Sequence, residues 1–168
     1  LVAHMQTVAP RVSLRFSNVH WAQVQAEMQA GRIDVAIEIT RTTDARLRQK
    51  RLTTDHFCVI ASAGFEGDMT PERYLAAEHV AISSRRRSLC AEDIALGQLG
   101  LIRNVRQHCL HYVSAALLVA QSELLLTAPE RLARLINGNT GNQIFPMPLP
   151  LSSLTLSLYW PHAADARP

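Results

Sequence analysis

The chain has 168 residues, 48% hydrophobic and 18% charged, with 17 Lys and Arg against 14 Asp and Glu, a formal charge of +3. That length buries a substantial core as one domain or two small lobes, and no apolar run approaches the roughly 20 residues of a membrane span, since Gln121, Ser122 and Glu123 interrupt the greasiest stretch. Three irregularly spaced cysteines, Cys58, Cys90 and Cys109, sit among apolar neighbours, which argues against a disulfide scaffold and for a reducing cytoplasm.

Residues 1–10 carry Leu1, Val2, Met5 and Val8 on one stripe and predict a helix ending before Pro10. Val12, Leu14 and Phe16 then alternate with Arg11, Ser13, Arg15 and Ser17, the period of a strand. From Asn18 the period becomes helical, with Trp21, Val24 and Met28 on one face, Asn18 as N-cap and Gly31 as the stop. Residues 33–39 read as a strand covered on both faces. A strand, a helix and a strand so closely joined make a parallel crossover. After a polar, basic connector, residues 51–62 predict one long strand. Thr70 and Pro71 open a short helix as cap and first residue. Strands at 79–83, 102–110 and 123–127 alternate with helices at 92–99, 112–120 and 129–136. Residues 137–142 are a loop by composition, Pro146, Pro148 and Pro150 keep the following path extended, and residues 154–160 form a final strand. The fold class is therefore α/β, in two lobes joined by extended segments near 52–57 and 142–147.

Catalytic signatures are absent. No G-x-G-x-x-G follows a strand, and there is no P-loop or G-x-S-x-G elbow. His108 and His111 stand an odd offset apart on a strand, which sends them to opposite faces, and no further ligand motif accompanies them; neither a metal nor a cofactor is expected. The basic runs 41–51 and 85–87 lack the interleaved aromatic residues of a nucleic-acid face. A site is still expected. In open parallel sheets ligands sit beyond the carboxyl ends of the strands, near helix N-termini. Those ends are Ser17, Asn18 and the turn through Trp21; Thr40 and Arg41; Ser83 and Ser84; His111 and Tyr112; and Thr127. Each has a plainer reading: Asn18 as a cap, Trp21 as core packing, Ser83, Ser84 and Thr127 as turn or cap residues, Arg41 as a solvated charge.

The sequence resembles the effector-binding domain of LysR-type transcriptional regulators over essentially its whole length. The matching pieces are Ala9-Pro10-Arg11-Val12-Ser13-Leu14, residues 28–37 (MQAGRIDVAI), residues 52–61 around Asp55, His79 to Ser83, residues 113–129, and the ending Leu156-Ser157-Leu158-Tyr159-Trp160-Pro161-His162 followed by Asp165. The resemblance implies two Rossmann-like subdomains with the type 2 periplasmic-binding-protein-like fold, residues 1–55 with 143–168 as the first and 56–142 as the second. It further implies a small-molecule effector, aromatic or acidic, in the cleft between them, assembly as a homodimer or homotetramer, and no enzymatic activity. DNA contact would come only from an N-terminal winged helix-turn-helix absent from this chain, and no membrane is involved. The family's first strand would precede Leu1; in the middle of the first lobe's sheet, its loss would strand backbone hydrogen-bonding groups. The reading of a different class is a solute-binding protein that serves a transporter. A thiol-based redox sensor using Cys90 and Cys109 is a variant of the regulator reading.

Overall fold

The structure is a computed structural model that describes residues 2–43, 45–83 and 90–162. The chain divides into two compact units, residues 1–50 with 157–168, and residues 51–156.

The second unit is organised by the short strand β3 (Phe57–Ala61), every residue of which is buried. A strand sends successive side chains to opposite faces, and both faces here are covered. Cys58 and Ile60 join Val80, Leu126 and Ala128 against Ala115, Ala116, Val119 and Ala133. Val59 and Ala61 join Leu125 on the other side, against Tyr74 and Leu96. The sheet runs β5-β4-β6-β3-β7, with β4 (Glu78–Ile82), β5 (Asn104–Cys109), β6 (Leu125–Pro129) and β7 (Gln143–Pro146). β4 is parallel to β5 and β6, with a register irregularity between His79 and Val80, whereas β3 is antiparallel to β6 and β7. Helices α5 (Tyr112–Val119) and α6 (Glu130–Asn137) cover the first face; α3 (Pro71–Ala76) and α4 (Ala91–Gln98) cover the second. Small residues on α5 let it lie close to the sheet.

The first unit holds α1 (Val2–Val8), α2 (Trp21–Gln29) and β1 (Ala36–Ile39); β1 belongs to a three-stranded sheet ordered β1-β8-β2 whose other strands, β2 (Leu47–Asp55) and β8 (Leu154–Pro161), cross the boundary between the units at residues 50/51 and 156/157. Val24 and Met28 of α2 pack on Tyr159 of β8, with Trp21, Ile33 and Leu47 at the margin. Gly31 stops α2 as the sequence predicts: its φ is +66°, its N–H donates to Met28 O at 3.0 Å, and Arg32 N–H reaches Glu27 O at 2.9 Å. These are the paired bonds of a Schellman motif.

Four local expectations are corrected. The predicted strand at 12–17 does not form; Val12, Leu14 and Phe16 are exposed, and among the described residues no strand lies beside them to complete a ladder. Asn18 is not the cap of α2; His20 is, accepting from Ala22 N–H at 3.3 Å. The long strand at 51–62 is two strands broken at His56, and the first starts inside the basic connector, at Leu47. Residues 143–146 are a strand of the second unit's sheet, paired with β3, where sequence reading sees only an extended path.

Candidate functional site

In the first unit, the end of β1 delivers Thr40 and Arg41 to the same place as β8. The hydroxyls of Thr40 and Ser157 are 2.7 Å apart, and the Gln49 side-chain amide donates to Ser157 Oγ at 3.3 Å. Arg41 N–H donates to the hydroxyl of Tyr159 at 2.8 Å. The Tyr159 ring meets Trp21 edge-on at 4.8 Å, and the Arg41 guanidinium lies over the Trp21 ring at 5.9 Å. Trp21, Thr40 and Arg41, chosen from the sequence, therefore form one cluster, and Trp21 also packs at the edge of the core. Ser17 and Asn18 are exposed in the irregular segment before α2, with no contact to that cluster recorded among the described residues. Sequence reading missed Gln49, Ser157 and Tyr159. Tyr159 carries a signal for itself, as the one aromatic residue out of phase with the alternation of the final strand.

In the second unit, β4 and β5 are parallel, so Ser83 and the residues before α5 share an end of the sheet. Ser83 N–H donates to Cys109 O at 3.0 Å. His111 is the exposed N-terminal boundary residue of α5, and Tyr112, the first helical residue, packs partly against the core; burial pushes the Tyr112 phenol well above its usual range. Ser84 lies outside the described residues.

Thr127 belongs to a different assembly. It is fully buried on the face of β6 that meets α3 and α4, where its hydroxyl lies 2.8 Å from the Tyr74 hydroxyl and accepts from Arg103 Nη1 at 3.2 Å. Arg103 also donates to Glu92 at 3.1 Å and to Asp93 at 2.7 Å, and Asp93 accepts from the Cys90 thiol at 2.9 Å. Burial opposes the charge on Asp93, but hydrogen bonds from Arg103 and Cys90 overcome it and hold the carboxyl below its usual value. Burial raises Glu92, with Arg103 opposing. It also raises Cys90, aided by Glu92 and Asp93, which keeps this residue a thiol rather than a reactive thiolate. Burial pushes Cys58 up to about 12. Sequence reading missed this network because Arg103, Glu92 and Tyr74 are far apart in the chain and no spacing rule joins them.

Cavities lined by described residues of the second unit include one of about 360 Å³ and one of about 1040 Å³. No predicted site residue lines either one. The larger borders Glu78 and Leu124, at the starts of β4 and β6, opposite the end where the crossover rule places a ligand. Among the described residues no group of three His, Cys, Asp or Glu is placed to hold a metal ion, and no helix is long and apolar enough to cross a membrane.

The LysR substrate binding domain profile matches residues 1–168. The chain belongs to that family. Its relatives include the HTH-type transcriptional activator NahR of Pseudomonas putida, 22% identical over 79% of this chain and 45% of NahR. They also include the HTH-type transcriptional regulator SyrM of Rhizobium meliloti, 27% identical over 79% of this chain and 42% of SyrM. The chain thus spans about half the length of the curated relatives it matches. Among solved structures, the probable transcriptional regulator PA0477 of Pseudomonas aeruginosa superposes with a TM-score of 0.89 at 26% identity, covering 98% of this chain and 57% of that one. The regulatory domain of MexT, a transcriptional activator of the same organism, superposes with a TM-score of 0.84 at 20% identity, covering 99% and 84%. The fold is that of LysR effector-binding domains, the type 2 periplasmic-binding-protein-like architecture that the sequence resemblance implies. Membership makes the chain an effector-binding domain of transcriptional regulators, a family that is not enzymatic, and leaves the transporter-delivery reading without support.

Proposed function

We propose that this LysR domain senses a small aromatic or acidic molecule held in the cleft between its two lobes, and that binding controls transcription by the full-length regulator. The two compact units serve as regulatory subdomains I and II. The protein works in the cytoplasm as a homodimer or homotetramer and reaches DNA through an N-terminal winged helix-turn-helix. The family match over residues 1–168 is the observation that supports this reading most. The cluster of Trp21, Thr40 and Arg41 at the end of β1 adds to it, because that is where an α/β sheet presents polar groups to a ligand.

The effector acts by preferring one arrangement of the lobes; a molecule that bound both equally would shift nothing. A thermal-shift screen of aromatic acids and flavonoids tests the reading. A binder present at 100 times its dissociation constant stabilises the folded state by about 2.7 kcal/mol, which a melting curve resolves. The same compound should alter the operator footprint of the full-length regulator. If no compound does either, the reading fails.

A further inference from the structure

The edge of the second unit's sheet carries a binding feature that no predicted site residue touches. β7 pairs with β3 on one side, from Cys58 opposite Pro146 to Ala61 opposite Gln143, and among the described residues no strand lies on its other side. On a strand the N–H and C=O of one residue point to one side, and those of the next residue point to the other. His56 O accepts from Glu130 N–H at 2.8 Å, in register with the β3–β6 ladder. His56, Cys58 and Ile60 therefore direct their backbone groups to β6, while Phe57, Val59 and Ala61 direct theirs to β7. Gln143 and Phe145 meet them across the ladder. The N–H and C=O of Ile144 thus both point outward, and neither has a partner among the described residues. Pro146 fits the same phase, since the ladder asks it for no N–H.

The open edge borders the cavity of about 360 Å³, a volume within the range of small-molecule sites. Ile144 packs on one face of the sheet and Phe145 on the other, and both line the cavity, so it runs along the edge between the faces. Phe57, Met147, Leu149 and Leu151 supply apolar walls. Glu130 and Arg134 also border it, but they neutralise each other, with Arg134 Nε donating to Glu130 at 3.0 Å. The strand is held in place: the Gln143 amide donates to Ala63 O at 3.0 Å and to Phe65 O at 2.7 Å, and the Phe145 ring meets Phe65 edge-on at 5.2 Å. A fixed donor and acceptor on one residue, beside apolar walls and paired charges, select a neutral planar molecule whose own acceptor and donor are adjacent. Pro146, the next outward-facing residue, offers a carbonyl and no N–H, which shortens the pattern to one donor–acceptor pair and disfavours an added peptide strand.

We propose that the cavity along the β7 edge is a small-molecule site of the second unit and that its ligand is a neutral lactam or other cis-amide. The ligand carbonyl accepts from Ile144 N–H, the ligand N–H donates to Ile144 O, and the ring lies against the apolar walls. This site does not depend on the sensor reading.

The test is calorimetric titration with isoindolinone, its lactone counterpart phthalide and N-methylisoindolinone, which share one fused ring system and differ in the donor. Isoindolinone should bind at least about tenfold more tightly than either of the others. Amide hydrogen exchange followed by NMR should show Ile144 exchanging at least about tenfold faster than Phe145 in the free protein, and slowing when isoindolinone is added. Proline is tolerated where an edge N–H points out of the ladder, so Ile144→Pro should fold and lose the preference for the lactam. Ile144→Ala loses the same side chain but keeps the N–H, and should retain that preference. The exchange measurement uses the unaltered protein and stands whether or not Ile144→Pro folds. Equal binding of lactam and lactone, no binding of the lactam, a slowly exchanging Ile144 in the free protein, or an Ile144 amide that the lactam leaves unchanged would each overturn the site. Sedimentation tests the other occupant: an oligomer that Ile144→Pro dissociates would put a second copy of the chain on this edge and also overturn it.

Discussion

Arg103 and Arg41 show two uses of one side chain within a single domain. Arg103 is buried between β6, α3 and α4, with its donors divided among Glu92, Asp93, Thr127 and the sulfur of Cys90. Arg41 is exposed at the end of β1, anchored by its backbone and resting on an indole, with no counter-charge among the described residues. A charge removed from water must find partners inside the protein, whereas a charge at the surface keeps its hydration until a ligand replaces it. The first arrangement therefore belongs to folding and the second leaves the fold little dependent on the charge, and substitutions should separate the two.

The largest effect is expected at Arg103. Arg103→Met strands the buried Glu92 and the half-buried Asp93 carboxyls and should destabilise the second unit by about 3–5 kcal/mol in denaturant unfolding. Arg41→Gln should stay within about 0.5 kcal/mol of the parent, because it leaves no buried charge unpaired. Similar losses from the two changes would erase the distinction.

The pH dependence sharpens it next. Burial, the main cause, lowers the His79 imidazole to about 4; its Nε2 bonds Tyr74 O at 2.7 Å, and Nδ1 has no partner among the described residues. The unfolded chain takes up a proton near pH 6.5 and the folded one only near 4. The contribution of His79 is therefore complete above pH 6.5 and is lost as pH falls toward 4, by about 3 kcal/mol in all. His79→Phe should flatten the stability profile in that window, read as the denaturant midpoint against pH. An unaltered slope would mean that His79 is not held neutral by the fold.

The hydroxyls should follow their cations. Thr127→Val removes the partner of both Tyr74 and Arg103 in a closed interior and should cost about 2 kcal/mol, while Thr40→Val, at a solvent-facing position, should cost less than about 1 kcal/mol. Equal costs would place Thr40 inside a structural network like that of Thr127.

What sequence could supply depends on how local the cause is. The Thr70 and Pro71 start of α3, the Gly31 stop of α2 and the alternating final strand all arise from interactions within a few residues, and all are present. The pattern at 12–17 is just as clean, yet a strand needs a neighbour to bond to, and periodicity does not report whether one is there. Thr40 and Arg41 were legible as strand-end residues; Trp21 was placed with them after a strand at 12–17 that does not form. Ser157 and Tyr159, which organise them, come from the opposite end of the chain, 117 and 118 positions away. Thr127 was placed at a strand end by the same rule, but β6 runs on to Pro129, which makes Thr127 its middle residue, and its side chain faces inward, a choice set by how β6 packs on α3 and α4. Topology locates a site in sequence; the facing of each side chain needs the packed structure.

The smallest effects separate two helix ends, one in each unit. Gly31 follows α2 with φ +66°, and Gly138 closes α6 with φ −55°; a Cβ at either position would meet nothing within 4 Å. Steric crowding is thus removed from the comparison, and only backbone preference remains. Gly31→Ala forces an L-residue into the left-handed region and should destabilise by about 1 kcal/mol. Gly138→Ala occupies a right-handed conformation that alanine favours and restricts the unfolded chain, so it should stabilise by about 0.4–1 kcal/mol. Opposite signs in paired denaturant curves would confirm that Gly31 is required by its dihedral and that Gly138 is not, and a loss at both positions would show that the end of α6 depends on a turn that alanine disturbs.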